Sequence, residues 1–158
     1  MKQTIYLVGQ ISADNLETYE WRKRIRDHFV EEDITIIDPC NSGFNRTVKD
    51  EFGGKDIERL EVYKSMGVDL LVPKDYKFVL ESTICIANLN TYDPKKPLIG
   101  SFFELAWYYA NPEKSVIGIY SGDRRKDINA NHPFVRQAVT TWVKDEIDAC
   151  ELVRHFFI

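Results

Sequence analysis

The chain has 158 residues, 44 % of them hydrophobic and 29 % charged, with a formal net charge of −4. That length suits one domain with a single well-formed core, and the acidic balance argues against a surface for duplex nucleic acid. No apolar run approaches the roughly 20 residues that span a bilayer, and Met1-Lys2-Gln3-Thr4 leads into a strand pattern rather than a signal peptide; the expectation is a cytoplasmic protein that does not enter membranes.

Thr4-Ile5-Tyr6-Leu7-Val8-Gly9 is a short apolar run closing on glycine, the pattern of a first buried strand. Ser12 or Asp14 can then cap a helix whose apolar stripe is Leu16, Trp21, Ile25 and Phe29. Ile34-Thr35-Ile36-Ile37 reads as a second strand ended by Asp38-Pro39. Strand, helix and strand within forty residues predict a right-handed crossover and a parallel sheet. Residues 40–54 are polar and rich in Gly and Asn, a long loop, and residues 55–66 carry a loose helical stripe. Residues 68–72 are apolar, either a strand or a buried approach to the next element. Pro73 can occupy the first position of a helix running to about Glu81, which places Asp75 in its first turn.

Residues 82–90 form the next strand pattern, ending in the polar pair Asn88 and Asn90. After a loop with Asp93-Pro94 and Pro97, Gly100-Ser101 opens an amphipathic helix through Ala110. Ser101-Phe102-Phe103-Glu104 fits a capping box, with Ser101 as the cap and Glu104 three residues on. The same Glu104 would lie beyond the carboxyl end of a strand, where open α/β sheets bind ligands. Both readings of Glu104, cap and chemical group, stand at this point. Residues 115–120 give a fourth strand and residues 139–143 a fifth, with a charged loop between. Asp145 caps a last helix that ends in His155-Phe156-Phe157-Ile158, read as its buried end. The whole predicts an α/β three-layer sandwich, flavodoxin-like or Rossmann-like, with a five-stranded and mainly parallel sheet.

Cys40, Cys85 and Cys150 are widely spaced without a CxxC pair, and His28, His132 and His155 lack ligand spacing, so reduced thiols and no metal are expected. There is no GxxxxGK[ST] loop, no GxGxxG fingerprint and no GxSxG elbow. No cofactor is expected.

Four pieces together resemble the nucleoside 2-deoxyribosyltransferase family, including its nucleotide N-glycoside hydrolase relatives. They are Ile5-Tyr6-Leu7-Val8-Gly9; Trp21-Arg22 with Asp38-Pro39; Asp75, seven residues before Ser82, with the strand ending Ala87-Asn88-Leu89; and Gly100-Ser101-Phe102-Phe103-Glu104-Leu105. The resemblance implies that Glu104 is a nucleophile toward C1' of a deoxyribonucleoside, that Tyr6 orients it, and that Asp75 serves the leaving base. It places Gly9, Asn88, Gly100 and Ser101 at the substrate. It also implies a small-molecule nucleoside or nucleotide partner and a homo-oligomer, with Asn131 matching a residue lent across a subunit interface. Two positions depart from the family: Leu98 and Ser82 stand where acids or a serine are usual, and Asp93 is the nearest substitute. Transfer of the sugar to a second base, hydrolysis of a 5'-monophosphate, and a pocket that binds without turnover are the readings left open.

Overall fold

The computed structural model describes residues 2–12, 14–41 and 68–158. Its strands are β1 (Gln3–Gly9), β2 (Ile34–Ile37), β3 (Ile84–Asn88), β4 (Ser115–Ile119) and β5 (Thr141–Val143). The α-helices are α1 (Glu17–His28), α2 (Leu71–Glu81), α3 (Ile99–Tyr109), α4 (Pro133–Ala138) and α5 (Glu146–Phe157). Every strand pairing is parallel, in the order β2-β1-β3-β4-β5. This is the flavodoxin-like arrangement, wholly rather than mainly parallel, and its strand order reverses between β1 and β3.

Alternation along the strands builds two cores. Ile5, Leu7, Ile84, Ile86, Ile117 and Ile119 face α1 and α5, meeting Trp21, Ile25, Ala149 and Val153. Tyr6, Val8, Cys85, Ala87 and Val116 face the opposite layer, meeting Val79 of α2, Leu105 and Tyr108 of α3, and Val135 of α4. Buried on both faces, β3 has no polar position before Asn88, which is why it reads as a continuous apolar run.

Several boundaries differ from the sequence expectation. Neither Ser12 nor Asp14 caps α1; Asn15 Oδ1 accepts from the Glu17 N–H at 3.1 Å instead. Leu16 is 65 % exposed and lies off the buried stripe, which is Thr18, Trp21, Arg22 and Ile25. The 68–72 stretch is no strand: Val68–Leu70 is a 3₁₀ turn running into α2. Pro73 therefore sits third in α2 rather than first, and Asp75 fifth rather than third; proline is tolerated there because the first N–H groups of a helix have no intrahelical acceptor. The capping box is absent as well. Helix α3 begins at Ile99, Leu98 precedes it without a side-chain cap, and Phe102 N–H bonds the Leu98 carbonyl at 3.0 Å. Ser101 and Glu104 thus fall inside the helix. β5 begins at Thr141, because Val139 closes α4 with its N–H on the Val135 carbonyl. Asp145 does cap α5, accepting from Asp148 N–H at 2.9 Å. The chain end is not buried: His155, Phe156 and Ile158 are exposed, and only Phe157 packs partly against the core. Of the loop expected over 40–54, Cys40 and Asn41 belong to a 3₁₀ turn, Pro39–Asn41, and the rest, with the helix expected over 55–66, lies outside the described residues.

Candidate active site

Helix α3 buries Ser101, Glu104, Leu105 and Tyr108, the i, i+3, i+4, i+7 stripe that faces the sheet. A carboxyl in that stripe lies in the core unless something opens beside it. Glu104 is 8 % exposed and accepts a short hydrogen bond from the Tyr6 hydroxyl, which rises from the middle of β1. Beside it opens a cleft of about 340 Å³, lined by Gly9, Gln10 and Ile11 after β1, Asp75 on α2, and Leu98, Gly100 and Ser101 around the start of α3. Lys96, Pro97 and Pro39 complete its rim. The cleft sits where the strand order reverses, the position at which this architecture binds ligands.

Burial is the main cause of the site's electrostatics. It pushes the Glu104 carboxyl up to about 8, with the nearby Asp75 charge adding to the rise while the Tyr6 hydrogen bond, Arg22 and Lys74 oppose it. Asp75 is also raised by burial, against the pull of Lys74, whose Nζ lies 3.2 Å from Asp75 Oδ1. The Tyr6 phenol is driven far above its ordinary range, by burial first and then by the Glu104 and Asp75 charges, so it stays a proton donor.

Arg22 occupies the buried stripe of α1 and is 0 % exposed. Its guanidinium donates to the Gly9 carbonyl at 2.8 Å, to the Gln10 carbonyl at 3.1 Å and to the Thr18 carbonyl, and its Nε lies 3.5 Å from Asp38 Oδ1. Asp38 also takes a bond from Arg26 and accepts the Cys40 N–H at 2.9 Å. This buried ion pair joins the loop after β1 to the turn after β2, bringing the Trp21-Arg22 and Asp38-Pro39 pieces together behind the cleft. Gly9 is required by contact: a Cβ there would lie 2.9 Å from both the Asn88 carbonyl oxygen and the Trp21 ring. At Gly100 the reverse holds, since a Cβ would meet nothing within 4 Å.

The structure brings Asp75, Glu104, Gly9, Gly100 and Ser101 to one cleft, sets Tyr6 behind it on the Glu104 carboxyl, and leaves three expected residues outside it. Asn88 is buried and accepts from the Asn90 N–H and donates to the Tyr92 hydroxyl, organising its own loop. Asp93 is taken up by the Ser12 hydroxyl and the Lys95 N–H at 3.1 and 3.0 Å, so it braces the loop instead of replacing the missing acid. Asn131 is exposed and donates to the Arg125 carbonyl. Of the two departures, Leu98 lines the cleft, whereas Ser82 is buried away from it, sharing a hydrogen bond with the Tyr108 hydroxyl. Arg22 and Gln10 carry no role in the sequence reading. The available signal was a charged side chain at a core-facing helical position, which only pairing can sustain.

A larger hollow of about 590 Å³ lies between α3 and α4, lined by Phe102, Leu105, Tyr109, Phe134 and Val135 among others. It contains no carboxyl group. Among the described residues no cluster of three or more His, Cys, Asp and Glu is placed to hold a metal ion, and no helix is long and apolar enough to cross a membrane.

No protein-family model and no curated protein matches the chain. Among solved structures, the signal receiver domain of a Luxo repressor protein from Vibrio parahaemolyticus is similar at 9 % identity and a TM-score of 0.49, over 98 % of this chain and 89 % of that one.

Proposed function

We propose that the protein cleaves the N-glycosidic bond of a 2'-deoxyribonucleoside through a covalent glycosyl-glutamate and passes the sugar to a second base. The observation that carries this reading is the Glu104 carboxyl, almost fully buried yet lining an open cleft and held by the Tyr6 hydroxyl. Ionised Glu104 attacks C1' while the C1'–N bond breaks, and Asp75 delivers a proton to the departing base. A second base then attacks C1', giving its N–H proton to the Asp75 carboxylate, while the C1'–O bond to Glu104 breaks and frees the carboxylate. Splitting one substitution into two is the gain, and a carboxylate stabilises the oxocarbenium-like transition state of each half. Burial favours the protonated form of Asp75, as a general acid needs. A homo-oligomer and a cytoplasmic setting belong to the same proposal, through the family resemblance.

Hydrolysis of a deoxynucleoside 5'-monophosphate is the second reading, favoured by the presence of the cationic residue Lys96 at the cleft. The test incubates the protein with each deoxynucleoside and its 5'-monophosphate, with and without a free acceptor base. A new nucleoside formed only with acceptor supports transfer; free base from a monophosphate without acceptor supports the hydrolase. Glu104→Gln and Glu104→Ala should lose at least 10³-fold in turnover, the order of effect for removing a covalent nucleophile. Retention of most activity in Glu104→Ala would remove the mechanism.

A further inference from the structure

Gln10 lines the cleft, yet its side chain has nothing left to offer a ligand. A glutamine amide has two N–H donors and one carbonyl oxygen that accepts in two directions. Nε2 donates to the Asp93 and Lys96 carbonyls, both at 2.8 Å. Oε1 accepts from the Tyr92 N–H at 3.0 Å and the Asp93 N–H at 2.8 Å. All four capacities are spent on the backbone of one loop, the β3–α3 connection that supplies Lys96, Pro97 and Leu98 to the rim. The backbone of Gln10 is held from behind, through its carbonyl, by buried Arg22.

We infer that Gln10 is a positioning residue, which locks the β1–α1 loop to the β3–α3 loop and so fixes the width of the cleft for the deoxynucleoside. The inference rests on the function proposed above. Residues 10 and 92–96 are more than eighty positions apart, and Gln10 is 5 % exposed, so its four bonds are shielded from water. Loops of this kind move apart on their own timescale unless tied, and an untied wall lowers affinity by the fraction of time the competent cleft is absent. Other ties reach the loop as well: Asn15 donates to the Tyr92 carbonyl and Ser12 to Asp93 Oδ2, both at 3.1 Å, and Lys96 Nζ lies 3.7 Å from Asp14 Oδ2. Gln10 adds the hold on the backbone carbonyl of Lys96, at the end of the loop that meets the cleft.

The test uses the full chain with Gln10→Met, which keeps the volume and removes all four bonds, and Gln10→Glu, which keeps the two acceptor contacts and loses both donors. Amide hydrogen exchange and steady-state kinetics with 2'-deoxyadenosine and 2'-deoxycytidine are measured on each. In Gln10→Met, exchange at Tyr92 and Asp93 should accelerate at least tenfold, while Leu89, bonded to the Ile119 carbonyl, keeps its rate. KM should rise at least tenfold with kcat within about threefold, because Tyr6 and Glu104 are untouched. In Gln10→Glu, Tyr92 and Asp93 should stay slow and KM should still rise, since the Lys96 carbonyl has lost its donor. Exchange that does not accelerate in Gln10→Met overturns the clamp. Accelerated exchange with an unchanged KM overturns its role at the substrate. Absence of turnover by the wild-type chain on either nucleoside, with the exchange pattern as expected, overturns the substrate assignment together with the proposed function and leaves a purely structural clamp. If Gln10→Met does not fold, Gln10→Glu alone decides, and an unchanged KM there overturns the inference.

Discussion

Glu104 meets two opposing demands. For the proposed attack on C1' it must be ionised, but burial holds its carboxyl up to about 8, so at neutral pH most of the free protein carries it protonated. The expected consequence is a kcat/KM that climbs with pH through about 8 instead of levelling near 5, measured with any deoxynucleoside that turns over. Tyr6 lowers that value by donating to the carboxylate. Tyr6→Phe should therefore displace the limb to higher pH and slow the reaction at pH 7 by about tenfold or more, as for a hydrogen bond to a charged group worth roughly 1.5–3 kcal/mol. An unmoved limb would exclude Tyr6 from the site. The same shift fixes a stability effect. The native state holds the proton more tightly than the unfolded chain, so the group's contribution is full below its unfolded value of 4.5 and is lost as pH rises through about 8. Glu104→Gln keeps a neutral acceptor for Tyr6 at every pH. In urea denaturation the variant should match the wild type near pH 5 and exceed it at pH 9 by on the order of 2 kcal/mol. The meeting of Glu104, Tyr6 and Asp75 in one place was expected from short motifs, and the Trp21-Arg22 and Asp38-Pro39 pieces were quoted together before Arg22 and Asp38 were seen to pair. Gln10 was not legible, since its partners lie more than eighty positions away and no local pattern announces a side chain spent wholly on another loop's backbone.

The strands are the elements read most directly. Ile34–Ile37 matches its expected bounds, and the others differ at their ends, because apolar runs bounded by Gly, Pro and Asp mark buried parallel strands. Helix starts are where the reading fails, and the reason is common to α1, α2 and α3. Local capping chemistry is one contribution of about 1 kcal/mol, readily overridden by the burial of a whole stripe. At α3 the stripe Ser101, Glu104, Leu105 and Tyr108 draws the helix start back to Ile99 and carries Ser101 and Glu104 inward. Gly100 then lies in the second position of α3, on the cleft, with no protein atom near its missing Cβ. Under the proposed function its use is to leave room for the ligand. Gly100→Ala should leave the melting temperature unchanged or raise it, since alanine is favoured over glycine in helices by up to about 1 kcal/mol, while KM increases several-fold. A variant that is destabilised with unaltered KM would show that the glycine serves the backbone and not the pocket.

At the scale of the molecule, alternation along each strand ties two cores into one unit. Ile86 reaches the α1–α5 layer, and its neighbours Cys85 and Ala87 reach the α2–α3–α4 layer, so neither layer can leave without exposing the other side of β3. The cleft depends on that coupling, because Tyr6 and Glu104 belong to one face while Arg22, which braces the loop above them, belongs to the other. Ile25→Ala and Leu105→Ala truncate one core each, and each should cost about 2–5 kcal/mol. The decisive measurement is whether the two faces lose structure together. Trp21 lies buried in the α1–α5 core and Trp107 and Trp142 pack against the other, so fluorescence of variants whose sole tryptophan is Trp21 or Trp142 reports the layers separately. Both signals and far-UV circular dichroism should trace one urea transition, with the same midpoint in the parent and a common lower midpoint in either truncation. Two separated midpoints would mean that the layers unfold independently, and the cleft would then owe its geometry to local loop contacts instead of to the sheet beneath it.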